Sequence, residues 1–417
     1  MSLLITNVEL TNEKTDIYIE GNHIARIAPH QNVPGATLLD GSGTAALPPF
    51  INMHNHAAMT LMRGFADDMV LQDWLQNKIW PFEAKLTEED VYWGTKFACL
   101  EMIKSGTTFF NDQYWFFDGI ARAVEEMGIR AGIAGAFLDL FDPAKAAEIH
   151  QNTIDQYNKM GRYSDRIQFV IGPHAIYTVS EESLRWVKSF ADEHDLLIHI
   201  HISETQQEVD NCLKKHGMRP IEYLDSIGFL GTNVIAAHMI WLDENELAIL
   251  KKHEVKIVHN PASNMKLSSG VLPAAKLKEY GLTVCLGTDG VASNNNLDMI
   301  EEMKIASLLQ KVNTMDCLAL PADEVFSWAT RNGAEVFGLD CGTVHEGGLA
   351  DLILVDLNDI NLIPNHNLIS NMVYAANGNC VHTTICDGKV VMHNRVVPGE
   401  KEIIIGFRKT IKDLLSR

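Results

Sequence analysis

From the amino terminus the chain opens on short runs of alternating polarity. LLITNVEL, TDIYIEG and HIARIAP set apolar residues at alternate or clustered positions, separated by Asn, Gly and Pro. That is the texture of short strands and turns. ADLILVDL, TTICDG and KVVMHNRVV repeat it near the carboxyl end. Two β-rich ends around an unlike middle predict one small β-sandwich domain composed of residues 1–50 and 341–417.

The middle, residues 51–340, alternates on a longer period. A strand leads into His54, and further apolar runs follow at TTFFND, RAGIAGAFLD, IQFVIGPHAIYT, LLIHIHISE, VIAAHMIW, VKIVHNPASN and TVCLGTDG. Helix-like segments lie between them at 87–105, 119–128, 180–194, 243–253 and 297–311. Ser180 ahead of Glu181 and Glu182, and Thr87 ahead of Glu88 to Asp90, read as helix starts with acids in the first turn. Strands alternating with helices predict parallel βαβ units. Eight such runs fit an α/β fold, a (β/α)8 TIM-type barrel.

Nearly every run stops at polar or ionisable residues: His54 and His56, Asn111 and Asp112, His174, His199 and His201, Glu204, His238, Asn260 and Asp289. In a barrel these carboxyl ends form the catalytic face. His54 and His56 alternate on an extended segment, so both imidazoles reach one side. His199 and His201 share a face by the same parity, which leaves either of them as a candidate ligand. Together with His238 and Asp289 they make a nitrogen and oxygen donor set suited to zinc or another divalent transition metal. Glu204 sits three residues past His201, placed to move protons for a metal-activated water. Gly287 and Gly290 flank Asp289 and allow a tight turn there.

Charge and cysteine usage narrow the partners. The 417 residues carry 34 Lys+Arg against 54 Asp+Glu, a formal net charge of −20. Such an acid excess disfavours nucleic-acid polymers and anionic membranes, but not a small nucleoside. No stretch approaches the ~20 apolar residues of a membrane span. The first residues have no cationic segment followed by an apolar run, so no secretory signal is expected. Seven cysteines without a CxxC spacing suit free thiols in a cytoplasmic, reducing compartment. A homodimer or higher homo-oligomer is the default expectation.

The motifs PPFINMHNHAAMTLMRGFADDM (48–69), WLQNKIWPFE (74–83), HIHISET (199–205), AAHMIWL (236–242), VHNPASNMKLSSG (258–270) and LGTDGVASNNNLDM (286–299) resemble the amidohydrolase superfamily. The resemblance is to its deaminase and chlorohydrolase branch, and most of all to the methylthioadenosine/S-adenosylhomocysteine deaminase group. It implies that His54, His56, His201 and Asp289 hold one divalent metal, most simply Zn. It implies Asp289 as proton acceptor, Glu204 as proton carrier to the ring nitrogen, and His238 as the group orienting the attacking water. Trp74, Glu83 and His174, with Glu204 and Asp289, match substrate-contacting positions. The implied activity is a hydrolase acting on the C–N bond of a cyclic amidine. It would deaminate the 6-amino group of methylthioadenosine, S-adenosylhomocysteine, adenosine or 5′-deoxyadenosine, in purine salvage. Guanine, pterin or triazine substrates are the alternative on the same scaffold, and a barrel that has lost catalysis is a second. The fourth run, IQFVIGPHAIYT, has no Lys, unlike two-metal relatives that use a carboxylated one, so one metal is expected. Members acting on S-adenosylhomocysteine are expected to carry Arg in and after the third strand. Here AGIAGAFLDLFDPAKAAEIH has none, and Arg130 precedes it at the wrong end. That predicts a preference for an uncharged 5′ substituent.

Overall fold

The computed structural model describes residues 2–417. Eight parallel strands run in chain order around a barrel: β1 (Phe50–Asn55), β2 (Thr107–Tyr114), β3 (Arg130–Phe137), β4 (Ile167–Pro173), β5 (Leu197–Ile202), β6 (Val234–His238), β7 (Lys256–His259) and β8 (Val284–Leu286). Each pairs with the next in parallel register. The seam between β8 and β1 is closed just past the end of β8. There Asp289 N donates to His54 O at 2.9 Å, and Thr288 N donates to Asn52 Oδ1 at 3.0 Å.

Residues alternating inward fill the barrel: Ile51 and Met53, Phe109, Ala134, Val170, Ile235, Val258 and Cys285. Phe337 plugs the amino-terminal end, its ring 4.4 Å from Phe109. The strands read as continuous apolar runs because both faces are covered, one by this plug and the other by the outer helices. The anticipated helices are present. Glu88–Ser105 begins at Thr87, which exchanges a reciprocal capping box with Asp90, and Glu181–Glu193 begins at Ser180, which accepts from Ser183 N. The helices at 119–128, 243–253 and 297–311 appear as Phe117–Met127, Glu244–His253 and Met299–Thr314.

Both chain ends meet in one continuous sheet of eight strands. Ser2–Leu10, Glu13–Glu20, His23–Ala28, Thr37–Asp40 and Thr44–Leu47 come from one end, and Leu352–Asp356, Val381–Cys386 and Lys389–Met392 from the other. Thr44–Leu47 pairs antiparallel with Leu352–Asp356 and so joins the two ends. Leu3, Ile5, Val8, Ile17, Ile19, Leu352, Leu354 and Ile385 form this sheet's own core. The carboxyl-terminal helix Glu400–Leu414 leaves that sheet and packs on the barrel, with Phe407 stacked 4.0 Å from Phe97. Among the described residues no helix is long and apolar enough to cross a membrane.

Candidate active site at the carboxyl ends of the strands

The ionisable strand ends converge. His56 Nε2 lies 3.2 Å from Asp289 Oδ1, His54 Nε2 lies 3.3 Å from the same oxygen, and His201 Nε2 lies 3.4 Å from His56 Nε2. His238 joins the group through His54 and His201, with one ligand atom of each within 4.8 Å of the others. His199 does not face this cluster. Its Nε2 pairs with His54 Nδ1 at 2.8 Å, one layer deeper in the barrel.

The rings are oriented from behind. His56 Nδ1 donates to Gln113 O at 2.7 Å and His201 Nδ1 to His174 O at 2.8 Å. A carbonyl only accepts, so in each neutral ring the proton sits on Nδ1 and Nε2 offers a lone pair inward. Asp289 Oδ2 accepts from Ser263 Oγ at 2.6 Å and Ser293 Oγ at 3.1 Å, which leaves Oδ1 to face His54 and His56. Burial would raise Asp289, yet the two imidazoles hold it well below the usual carboxylate range. Burial pulls His56 down, but Asp289 outweighs it and lifts the ring to about 9. Burial keeps His201 neutral, well below 6.5. Converging lone pairs beside a carboxylate that draws positive charge to itself are a donor set that fits a divalent cation.

Glu204 stands at the edge of the cluster, with Oε2 3.8 Å from His238 Nε2 and Oε1 accepting from Ser269 Oγ at 3.3 Å. Burial, outweighing the His238 charge, raises its carboxyl above the usual value. His238 Nδ1 pairs with Asn264 Oδ1 at 2.8 Å, so its Nε2 is the nitrogen turned toward Glu204. The local backbone is strained: Ser203, His238, Met239 and Asp289 all have φ between +52° and +73° without being glycine. At the tight turn around Asp289 neither Gly287 nor Gly290 is left-handed. Asp289 itself is, and the glycines permit close approach. A Cβ on Gly287 would meet His54 N at 2.7 Å, and one on Gly290 would run into Met59 Sδ.

A cavity opens over the cluster. Trp74, Glu83 and His174 all line it, with Glu204, His238 and Asp289 at its floor. Trp74 to Glu83 sit on a helical segment whose middle, Leu75–Ile79, is a π-helical turn, and this brings Trp74, Leu75, Ile79, Trp80 and Glu83 to one wall. Trp115 Nε1 donates to Glu83 Oε2 at 3.3 Å, while burial raises the Glu83 carboxyl. His174 Nδ1 pairs with Thr178 Oγ1 at 2.8 Å, and burial holds the ring neutral, at about 3. Among the described lining residues there is no Arg or Lys. Arg130 lies at the other end of β3, buried against Asp351 at 2.8 Å.

Four supporting residues escaped the sequence reading. Glu208 accepts from Ser203 N at 2.9 Å and Glu204 N at 3.0 Å, fixing the turn that carries Glu204. Its place four residues after Glu204, one helical turn into SETQQEV, was the available signal. Ser263 and Ser293 stand in two PASN-like and VASN stretches whose repetition could have drawn attention. Tyr114 lies beyond Asp112, where the apolar run TTFFND stops although the strand continues.

The model of the amidohydrolase family matches residues 45–391. The chain belongs to the amidohydrolase family. A 5′-deoxyadenosine deaminase from Methanoregula boonei is 48% identical over 410 residues, covering 97% of this chain and 93% of that protein. A 5-methylthioadenosine/S-adenosylhomocysteine deaminase from Thermococcus sibiricus is 48% identical over 399 residues, 94% of each. The crystal structure of an adenosine deaminase from Xanthomonas campestris with bound zinc superposes with a TM-score of 0.94 at 32% identity, covering 100% of this chain and 99% of that one.

Proposed function

We propose that this amidohydrolase is a cytoplasmic deaminase of adenosine-type nucleosides, replacing the 6-amino group by oxygen and releasing ammonia. The observation that carries the reading is the position of Glu204. It is a buried carboxyl beside the His/Asp cluster, lining the same cavity as Trp74, Glu83 and His174. The relatives named for deamination of 5′-deoxyadenosine and methylthioadenosine support it, and the unpaired state of all seven cysteines suits the compartment.

His54, His56, His201 and Asp289 are the residues that would hold one divalent cation, with zinc as its simplest identity. When bound, that cation supplies Lewis acidity, which brings the pKa of water from about 15.7 toward about 7. The remaining steps belong to the chain. Asp289 accepts a proton from the attacking water. His238, held at Nδ1 by Asn264, turns Nε2 toward the water and orients it. Glu204 delivers a proton to the ring nitrogen next to the attacked carbon as the new C–O bond forms. The hydroxyl of the resulting adduct returns a proton to Glu204, which passes it to the amine. The C–N bond breaks with ammonia leaving as the C=O forms, and the proton held by Asp289 then restores that of Glu204. The raised pKa of Glu204 suits a carboxyl that must hold a proton near neutrality. Glu83 accepts from the ribose and His174 faces the purine.

Because no Arg or Lys is among the described lining residues, a carboxylate-bearing 5′ substituent finds no Arg or Lys partner there, and Arg–carboxylate pairing is unavailable. The favoured substrates are methylthioadenosine, 5′-deoxyadenosine and adenosine. Incubating purified enzyme with each should convert the adenine ultraviolet spectrum to that of hypoxanthine, with one ammonia released per turnover. No spectral change with any of them, alongside ammonia release from guanine or a triazine, would overturn the reading.

A further inference from the structure

Resting on the nucleoside reading, we propose that Tyr114 is a further specificity residue, whose hydroxyl donates a hydrogen bond to the same ribose diol that Glu83 accepts from. Tyr114 is the last residue of β2 and lines the cavity, only 3% exposed. Its hydroxyl is buried beside the Glu83 carboxylate, and burial together with that carboxylate pushes the phenol well up, yet it completes no well-formed hydrogen bond. Trp74 Nε1, lining the same cavity, is also without one. Buried donors are almost always paired, so two unpaired ones lining one cavity mark what enters it. Its neighbour Trp115 already holds Glu83, so the end of β2 approaches that carboxylate with two successive residues. On the other side, the Tyr114 ring stands 6.4 Å from that of His56.

The chemistry of the three groups selects the ligand. An ionised carboxylate only accepts, an indole N–H only donates, and a phenol this deeply buried stays protonated and donates. A sugar hydroxyl does both at once. One hydroxyl of a vicinal diol can give its proton to Glu83 and accept from Tyr114, and Trp74 can serve a second oxygen. A 2′- or 3′-deoxy carbon offers neither. The arrangement therefore selects ribonucleosides over deoxynucleosides, a discrimination separate from that at the 5′ position.

The test compares full-length, metal-loaded enzyme and its Tyr114→Phe variant on adenosine, 2′-deoxyadenosine and 3′-deoxyadenosine, with thermal midpoint and metal content measured alongside. The unmodified enzyme should favour adenosine over at least one deoxy analogue by roughly 100-fold in kcat/KM, since buried polar groups are left unpaired when a substrate hydroxyl is missing. Tyr114→Phe should lose roughly 10-fold on adenosine, as expected for one hydrogen bond. It should lose less than about twofold on the analogue that lacks the partner hydroxyl. An equal loss on all three substrates, or none on any, overturns the role of Tyr114 and leaves the deaminase reading standing. Failure of the unmodified enzyme to deaminate any of the three overturns the nucleoside reading, and Tyr114's role with it.

Discussion

His56 Nε2 and His201 Nε2 face each other across 3.4 Å, and each ring is tied by its other nitrogen to a backbone carbonyl. Each ring therefore turns only its Nε2 inward, and Asp289 draws positive charge to the pair, so a shared divalent cation is an arrangement that would engage both nitrogens at once. Exhaustive chelation should lower the thermal midpoint, and Zn²⁺ should restore it. At a free metal concentration 100 times Kd the gain is about 2.7 kcal/mol. Identical melting with and without metal would count against the site.

His201 and His199 should part company in the same measurement. His201→Ala removes an inward lone pair and should abolish stoichiometric metal. His199→Ala removes only the group behind His54 Nδ1. Loss of such an outer partner costs roughly 10- to 100-fold in metal affinity or activity. Metal analysis after dialysis separates them, and equal retention by both variants would contradict the assignment.

Glu204 and Glu208 act in series. Glu204→Gln should keep its metal and its KM while kcat falls by roughly 100- to 10,000-fold, the loss of a proton carrier. Glu208→Ala leaves Glu204 chemically intact but frees the amides of Ser203 and Glu204. Its kcat should fall by less, with metal retained. Steady-state kinetics beside metal analysis checks both, and an unaltered kcat in Glu204→Gln would remove that residue from the proton path.

How far the sequence reveals this site depends on the range of the interactions. Strand parity put His54 with His56 and His199 with His201, and the polar strand ends marked one face of the barrel, because both are local consequences of a two-residue repeat. Parity could not choose between His199 and His201, since both point inward and differ only in depth along the strand. Which of them meets His56 follows from the stagger of the strands, which is set by pairing across the barrel. Similarly, the clamp of Ser263 and Ser293 on Asp289 joins residues 26 positions apart and residues 4 positions apart, through a strained turn no propensity predicts. The β-rich ends were legible as strands. The helix Glu400–Leu414 lies beyond the last strand of that sheet, and its docking on the barrel depends on the Phe97–Phe407 contact rather than on any local pattern.

The bare cavity wall predicts a graded substrate profile. In kcat/KM, S-adenosylhomocysteine should fall at least roughly 10-fold below methylthioadenosine, about what one unmade charged contact represents. Leu138 lines the wall just past the end of β3. Leu138→Arg would place a guanidinium there and should narrow the gap. Equal rates on both substrates with the unmodified enzyme would refute the electrostatic account.

Arg130 binds Asp351 through two hydrogen bonds, at 2.8 and 3.1 Å, and Asp387 through a third, at 3.0 Å, joining β3 to the terminal sheet. Arg130→Met strands a buried carboxylate, which costs about 3–5 kcal/mol. The denaturation midpoint should drop while kcat stays near that of the unmodified enzyme. A large kcat loss at full stability would show that this end of the barrel reaches the chemistry.

Glu302 gives stability a pH dependence of known sign. It is fully buried, accepting from Ala262 N at 3.2 Å and Asn294 Nδ2 at 2.6 Å. Burial outweighs those bonds and pushes its carboxyl up from 4.5 to about 8. Between those values the folded chain binds more proton than the unfolded one, so stability falls as pH rises through the window. Its contribution is full below about 4.5 and lost above about 8. Glu302→Gln keeps the size and removes the titration. Its thermal midpoint should fall less between pH 6 and pH 9 than that of the unmodified protein, even if it starts lower through a mismatched amide. Parallel slopes for the two proteins over that range would show that Glu302 stays ionised despite its burial.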